Sequence, residues 1–344
     1  MTTIPPLNLS ALTILRDSRQ PGYEDAAQDT ARRILASYTV NDEALANALK
    51  TISETLFGSG NTSAGEDGST INGSNNSDKI RSGSRSTVNG GAGDDSIHAG
   101  HNSVVKGGAG RDIILGDTET TIDGGDGDDI LVSGPDYGVA DSPMRGGKGN
   151  DVLTVGNDTS ADGGDGDDII IAGSNATIYE RLISGGAGND IITTKYYSAV
   201  DGGTGDDRIE TGDKSSAKGG SGNDIISSDY ESTIEGGKGN DTITATADST
   251  IRFSAGDGED SIKLRGENNT IALGPGLAAA NTIISVSGDK TTITLAGSTD
   301  KITVDTRSIR SFAISFADGT TQQIGRLYPV RPAPSSFAQA YAEH

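Results

Sequence analysis

No cysteine occurs anywhere in the chain, which excludes disulfide staples and thiolate metal sites. Tryptophan is also absent, and aromatic residues make up only 4% of the sequence. A wide core built on large rings is therefore excluded. No apolar run approaches the 18 residues of a membrane-spanning helix. Positive charge is scarce: 27 Lys and Arg stand against 49 Asp and Glu, a net charge of −22. That balance disfavours nucleic acid and anionic membranes as partners and favours cations. The first residues, MTTIPPLNLSALTILRDSRQ, lack a basic stretch followed by a long apolar one, so they are not read as a cleavable signal peptide. The motifs H-E-x-x-H and G-x-S-x-G are missing, so the chain is not expected to be an enzyme.

What remains is glycine and acid in a strict order. Only 32% of the 344 residues are hydrophobic, and 50 are Gly. Low hydrophobicity with high net charge ordinarily reads as disorder. Here a fixed repeat argues for a solenoid instead. G-G-x-G-x-D begins at Gly90, Gly107, Gly124, Gly146, Gly163, Gly185, Gly202, Gly219 and Gly236. Degenerate copies stand at Gly73–Asp78 and Ala255–Asp260. The steps between starts are 17 residues, with two of 22 and one of 19. Two places after each Asp comes an apolar residue, from Ile97 and Ile114 to Ile243. Two places before each G-G pair comes another, apolar or small, from Val88 to Ile234. Such period-two spacing predicts two short strands per unit, in the order turn, strand, turn, strand. Stacked units give a parallel coil rising about 4.8 Å per turn. The five extra residues of the long units fall within Leu131–Arg145 and Ile170–Ser184, away from the Gly/Asp edge.

Glycine carbonyls and a terminal carboxylate form a hard oxygen site suited to Ca²⁺, which takes about 6–8 ligands. One turn offers too few, so each ion is expected between two consecutive turns. Carboxylates stacked about 5 Å apart would otherwise repel, which couples metal binding to folding. About 8–10 ions would nearly balance the net charge of −22.

From about Gly73 to Ile262 the phrase resembles the RTX proteins, or hemolysin-type calcium-binding repeats, which form parallel β-rolls. The resemblance implies that Asp95, Asp112, Asp129, Asp151, Asp168, Asp190, Asp207, Asp224 and Asp241 are calcium ligands beside the Gly carbonyls, with Asp260 a terminal one. The family typically repeats every nine residues and binds calcium along both edges. This chain carries the phrase once per turn, so a single row of ions is expected. ISFADGTTQQIG (Ile314–Gly325) also resembles the segment that follows such repeats. Family members are commonly exported by type I secretion through an uncleaved C-terminal signal, which implies a secreted, extracellular or surface-associated protein.

The fold expected is thus mainly β: a right-handed parallel β-roll, or β-solenoid, stabilised by Ca²⁺. Its parts are an α-helical N-terminal cap (1–58), a polar linker (59–69), the calcium-binding roll (70–265), a calcium-free β continuation (266–328) and a mobile tail (329–344) belonging to the secretion signal. In the N-terminal region one helical stripe is Ala27, Ala31, Ile34, Leu35 and Tyr38. A second, after an Asn41 cap, is Leu45, Ala48, Leu49, Ile52 and Leu56. Acidic extras at the third and fifth places of the phrase, such as Asp94, Asp128 and Asp257, are read as solvated groups, and His98 and His101 as surface residues. Tyr179, Tyr196, Tyr197 and Tyr230 are read as isolated exposed aromatics, with a saccharide contact as the sharper reading. The expected function is a structural, adhesive or matrix role, with calcium, surface polysaccharide or self-association as partners. The alternative is a secreted effector or a polysaccharide-modifying enzyme scaffolded by the roll.

Overall fold

The computed structural model describes residues 62–134, 142–174 and 182–325. Strands alternate between two sheets, one of 15 and one of 14 strands. Each turn contributes one strand to each sheet, and the ladders between turns are parallel. Twelve turns form the coil, from the strands Thr62–Gly65 and Thr70–Asn72 to Glu259–Leu264 and Thr270–Leu273. At the inter-strand spacing it is about 55 Å long.

Register follows the repeat. Ile97 pairs with Ile114, and Val88 with Val105. The 22-residue units keep it, since Leu131 pairs with Leu153 across the first insertion. Inward columns from both sheets meet in one thin core, with Ile97, Ile114, Leu131 and Leu153 on one side and Val88, Val105, Ile122 and Met144 on the other. Every strand is short because the phrase cuts the apolar pattern each turn.

The structure corrects the sequence reading in three places. The segment read as a linker already contains the strand Thr62–Gly65, paired with Lys79–Ser82. The G-G pair lies inside a strand (Thr87–Ala92, for example), so the turn is confined to the G-x-D part of the phrase. Finally, Ile234 pairs with Ile251 and Glu235 with Arg252, which sets Phe253 opposite Gly236 where Ala255 was expected. The expected helical cap, the inserted residues 135–141 and 175–181, and the tail lie outside the described residues.

Beyond the repeats the sheets continue without the phrase. Glu259–Leu264 pairs in parallel with Lys301–Asp305, and Thr270–Leu273 with Ser311–Ser315. Antiparallel strands then close both edges: Lys290–Leu295 with Thr282–Ser287 on one, Thr321–Gly325 on the other. The last turn is the Asp318-Gly319 hairpin, with Gly319 at φ +83°. Phe253, Phe312 and Phe316 fill the core at this end.

Candidate metal centre

The site is a column. All ten predicted aspartates line one edge of the coil, and each is buried, the nine of the full phrases to 1% exposure or less. One carboxylate oxygen of each is committed to the backbone. Asp95 Oδ1 accepts from the Asp78 N–H, Asp112 Oδ1 from Asp95, and so on to Asp260 Oδ1 from Asp241, at 2.7–3.0 Å. The ladder therefore always reaches back one turn.

The other oxygen is left over. Oδ2 of Asp95, Asp112, Asp129, Asp151, Asp168, Asp190, Asp207, Asp224 and Asp241 is buried and has no protein partner. A buried charged oxygen without a partner is costly, and native structures rarely tolerate one, let alone nine in a row. Glycine makes the space beside it. A Cβ on Gly163 would overlap both Asp168 Oδ2 and the Gly185 carbonyl oxygen of the next turn. The same pair of oxygens faces the first Gly of each phrase from Gly90 to Gly219, which makes eight cradles. At Gly236 only the Asp241 carboxylate is present, because Phe253 follows in place of Gly. The second Gly of each phrase has positive φ, as at Gly164 (+112°), and a side chain there would strike the preceding turn's carbonyl oxygen. An all-oxygen cradle of carboxylate and carbonyl suits a hard divalent cation.

Electrostatics agree. Burial, first among the causes, pushes the carboxyl groups of Asp112, Asp190 and Asp241 up to about 6, Asp207 and Asp260 to about 7, and Asp129 to about 8. Neighbouring carboxylates raise them further, and the backbone N–H donors oppose the shift. A cation in the cradle reverses this balance.

A family profile described as RTX calcium-binding nonapeptide repeat (four copies) matches residues 85–114, 102–118, 121–139, 160–176, 182–194 and 228–249. These segments are RTX-type calcium-binding repeats, and the parallel coil with its turns of about 17 residues is consistent with a protein of that type. The repeats bind calcium. No curated protein matches the chain significantly. The matched segments contain six of the nine full phrases, those beginning at Gly90, Gly107, Gly124, Gly163, Gly185 and Gly236. RTX repeats are characteristic of secreted proteins, and among the described residues no helix is long and apolar enough to cross a membrane.

The ends of the RTX column differ from its middle. Asp78 Oδ2 accepts from the Ser74 N–H (2.6 Å) and the Ser74 hydroxyl (2.8 Å), so it is already satisfied. At the other end Asp257, read as solvated, is buried, and its Oδ2 accepts from the Ser254 N–H.

Two more ladders escaped the sequence reading. Fifth-place side chains reach forward one turn: Asp128 Oδ1 accepts from the Asn150 N–H, Asn150 from Asp167, Asp167 from Asn189, and onward to Glu259, at 2.7–2.9 Å with one at 2.6 Å. Read down the column, Asp94, Arg111, Asp128, Asn150, Asp167, Asn189, Asp206 and Asn223 place a non-acidic residue after every Asp. That spacing keeps carboxylates two turns apart. At the far corner Ser86, Ser103, Ser198, Ser215, Ser232 and Ser249 are buried, and their hydroxyls or that of the next turn accept backbone N–H groups at 3.1–3.3 Å. The residue before each has positive φ without being Gly (Arg85, Asn102, Tyr197, Lys214, Glu231, Asp248). This corner carries no carboxylate column and no G-G pair.

His98 and His101 both face Asp117, at 3.7 and 3.9 Å, and burial lowers the His98 pKa. Tyr196, Tyr197 and Tyr230 are half exposed at the far corner, with Lys214 over the Tyr197 ring at 5.7 Å.

Proposed function

We propose that the chain is a secreted calcium-loaded β-roll that completes its fold outside the cell and serves a non-catalytic structural or adhesive role. The observation that carries the reading is the unbroken column of nine buried, unpartnered Oδ2 atoms, each beside an unfilled glycine position. We assign as ligands Asp95, Asp112, Asp129, Asp151, Asp168, Asp190, Asp207 and Asp224, each with the carbonyl of the first Gly in the following turn, and Asp241 through its carboxylate alone. Asp260 closes the row through its backbone-facing Oδ1. Bound calcium supplies positive charge and an oxygen-to-oxygen cross-link between turns.

The residues divide the rest of the work. Oδ1 fixes the spacing of the turns through the backbone N–H of the preceding turn. Gly keeps the cradle open, and the inward isoleucines set the register. Calcium modules that work outside the cell bind in the range of about 0.1–1 mM. The chain would therefore stay unfolded during export and fold on arrival. We assign the coil a right-handed course, the hand of nearly all parallel crossovers. The non-catalytic reading rests on the sequence, whose phrase repeats a binding geometry and carries no catalytic motif.

Circular dichroism during a calcium titration tests this. Calcium should produce a cooperative gain of β signal that EDTA reverses and magnesium does not reproduce. A protein fully folded in EDTA and indifferent to calcium would refute the ligand assignment.

A further inference from the structure

The corner opposite the metal column is built from two-residue turns, and these stack in register like the strands. The Tyr197 N–H donates to the Asp213 carbonyl at 3.0 Å, and the Lys214 N–H to the Tyr230 carbonyl at 2.7 Å. The first residues of these turns therefore form one column: Tyr196, Asp213, Tyr230. Tyr196 is 50% exposed and Tyr230 54%. On earlier turns the same position carries Ser84, His101, Thr118 and Asn157, and on later ones Ala247 and Glu267. The rings are thus confined to one stretch of the corner. A single exposed tyrosine is ordinary on a protein surface, but two held on one column make a platform.

The coil sets their spacing. Two turns separate Tyr196 from Tyr230, about 9.6 Å. Rings pair at centroid distances of about 4.5–7 Å, so these two do not cover each other. The adjacent column is occupied by its own charges: Lys214 Nζ lies 5.7 Å from the Tyr197 ring centroid and 3.6 Å from the Glu231 carboxylate. Between the two exposed rings stands Asp213, whose Oδ1 accepts from the Tyr230 N–H at 3.2 Å. That bond holds a carboxylate at the level midway between them.

We propose that Tyr196 and Tyr230 are stacking platforms for a neutral β-1,4-linked polysaccharide lying along the coil axis, with Asp213 accepting hydroxyl hydrogens between them. The inference rests on the adhesive reading above and names its partner. A pyranose ring with equatorial substituents has an apolar C–H face, which packs on the negative face of an aromatic ring. In an extended β-1,4-linked chain alternate units are turned over. Every second unit therefore presents the same face, at a separation close to that of the two tyrosines. The unit between them brings its hydroxyls to Asp213. A net charge of −22 turns away an anionic polymer. A protein partner would call for a wide contact with a desolvated centre, whereas this column is narrow and flanked by Lys214 and Glu231. Tyr196 and Tyr230 lie two repeat units apart in the chain and reach this spacing only when the turns stack, so sugar binding follows the calcium-dependent fold.

Calorimetric titration of the full chain in saturating calcium tests this. The probes are cellohexaose and chitohexaose, with maltohexaose, whose α-linkages curl the chain, as the control. Circular dichroism checks the calcium-induced fold of each variant. At least one β-linked probe should bind about tenfold more tightly than maltohexaose. Tyr196→Ala and Tyr230→Ala should each weaken that binding about five- to tenfold, the loss of one ring contact. Combining Y196A with A247Y keeps two rings but sets them one turn apart, and should leave binding as weak as Tyr196→Ala alone. Binding restored in that variant would show that spacing is irrelevant and would overturn the proposal. So would undiminished binding in both alanine variants, which would place the sugar elsewhere. A chain that shows its calcium-induced fold and binds no β-linked probe better than maltohexaose would also overturn it, assigning the tyrosine column to a protein partner while the calcium-loaded roll stands. A chain with no calcium-induced fold would instead refute the reading on which the inference rests.

Discussion

Each aspartate of the column does two jobs with two oxygens, and substitutions can separate them. At Asp207, Oδ1 accepts from the Asp190 N–H at 2.8 Å, while Oδ2 has no protein partner. Asp207→Ala removes the acceptor and strands a buried N–H, a loss of about 1–3 kcal/mol. Asp207→Asn keeps an acceptor and removes the charge. Melts in saturating calcium, where the coil is folded, should therefore show Asp207→Ala well below Asp207→Asn. Calorimetric titration should show both losing at least one calcium per chain. Equal stability of the two variants in saturating calcium would mean that the Oδ1 bond contributes nothing.

The shifted carboxyl groups set a pH dependence whose sign changes with metal. Asp112, Asp129, Asp190, Asp207, Asp241 and Asp260 titrate in the folded coil between about 6 and about 8, above an ordinary value of 3.8. A raised folded pKa means that the coil binds more protons than the unfolded chain. Its stabilising effect is full below about pH 4 and is lost as pH rises through about 6 to 8. In EDTA, β signal and melting temperature should rise as pH falls from 8 to about 5. In limiting calcium the trend should invert, because protons and metal compete for the same Oδ2. Thermal melts across pH in both conditions check the pair of signs.

At the scale of the element, one turn is held at two corners by different chemistry. The Gly/Asp corner needs a cation, and the far corner is self-sufficient. The Ser198 N–H donates to the Ser215 hydroxyl at 3.2 Å, and the Ser215 N–H to Ser232 at 3.3 Å. Ser215 is buried, so Ser215→Ala leaves the Ser198 N–H without that acceptor. The expected cost is about 1–3 kcal/mol. It should appear undiminished in saturating calcium, with the number of ions bound unchanged. Denaturant melts beside calorimetric titration separate this corner from the metal corner. The same contrast explains the single row of cradles: the far corner has serine and threonine where a second row would require the phrase.

For the whole molecule, repetition makes stability a sum over neighbouring turns, and the metal column couples those turns into one unit. Without metal, nine buried unpartnered oxygens and a net charge of −22 oppose the coil. With it, twelve turns lock along about 55 Å. Small-angle scattering should follow the change. A fully unfolded chain of this length has a radius of gyration of about 65 Å, and the folded chain should approach about 20 Å. Full compaction in EDTA at pH 8 would contradict the coupling of folding to calcium. The cap formed by Thr282–Ser287, Lys290–Leu295 and Thr321–Gly325 ends the coil on antiparallel edges, where an open parallel edge would invite further chains.

The sequence by itself determined the coil, its period and its aspartate edge. A phrase repeated at fixed spacing can satisfy its glycine angles and its apolar alternation in only one way, by stacking on itself. For the same reason the Asp column was readable residue by residue. Tertiary structure decided what depends on neighbours a turn away. It showed which oxygen of each carboxylate stays unpartnered, that Asp78 is satisfied by Ser74, and that Phe253 ends the glycine column. It showed that fifth-place Asp and Asn form a ladder of their own. It also turned Val152, Ile169 and Ile171 outward into a buried cluster apart from the core. The sequence had placed the inward column two residues after each Asp, at Leu153 and Ile170, and said nothing of how far their outward neighbours would be shielded. Only the stacking of the turns decides which outward side chains meet solvent.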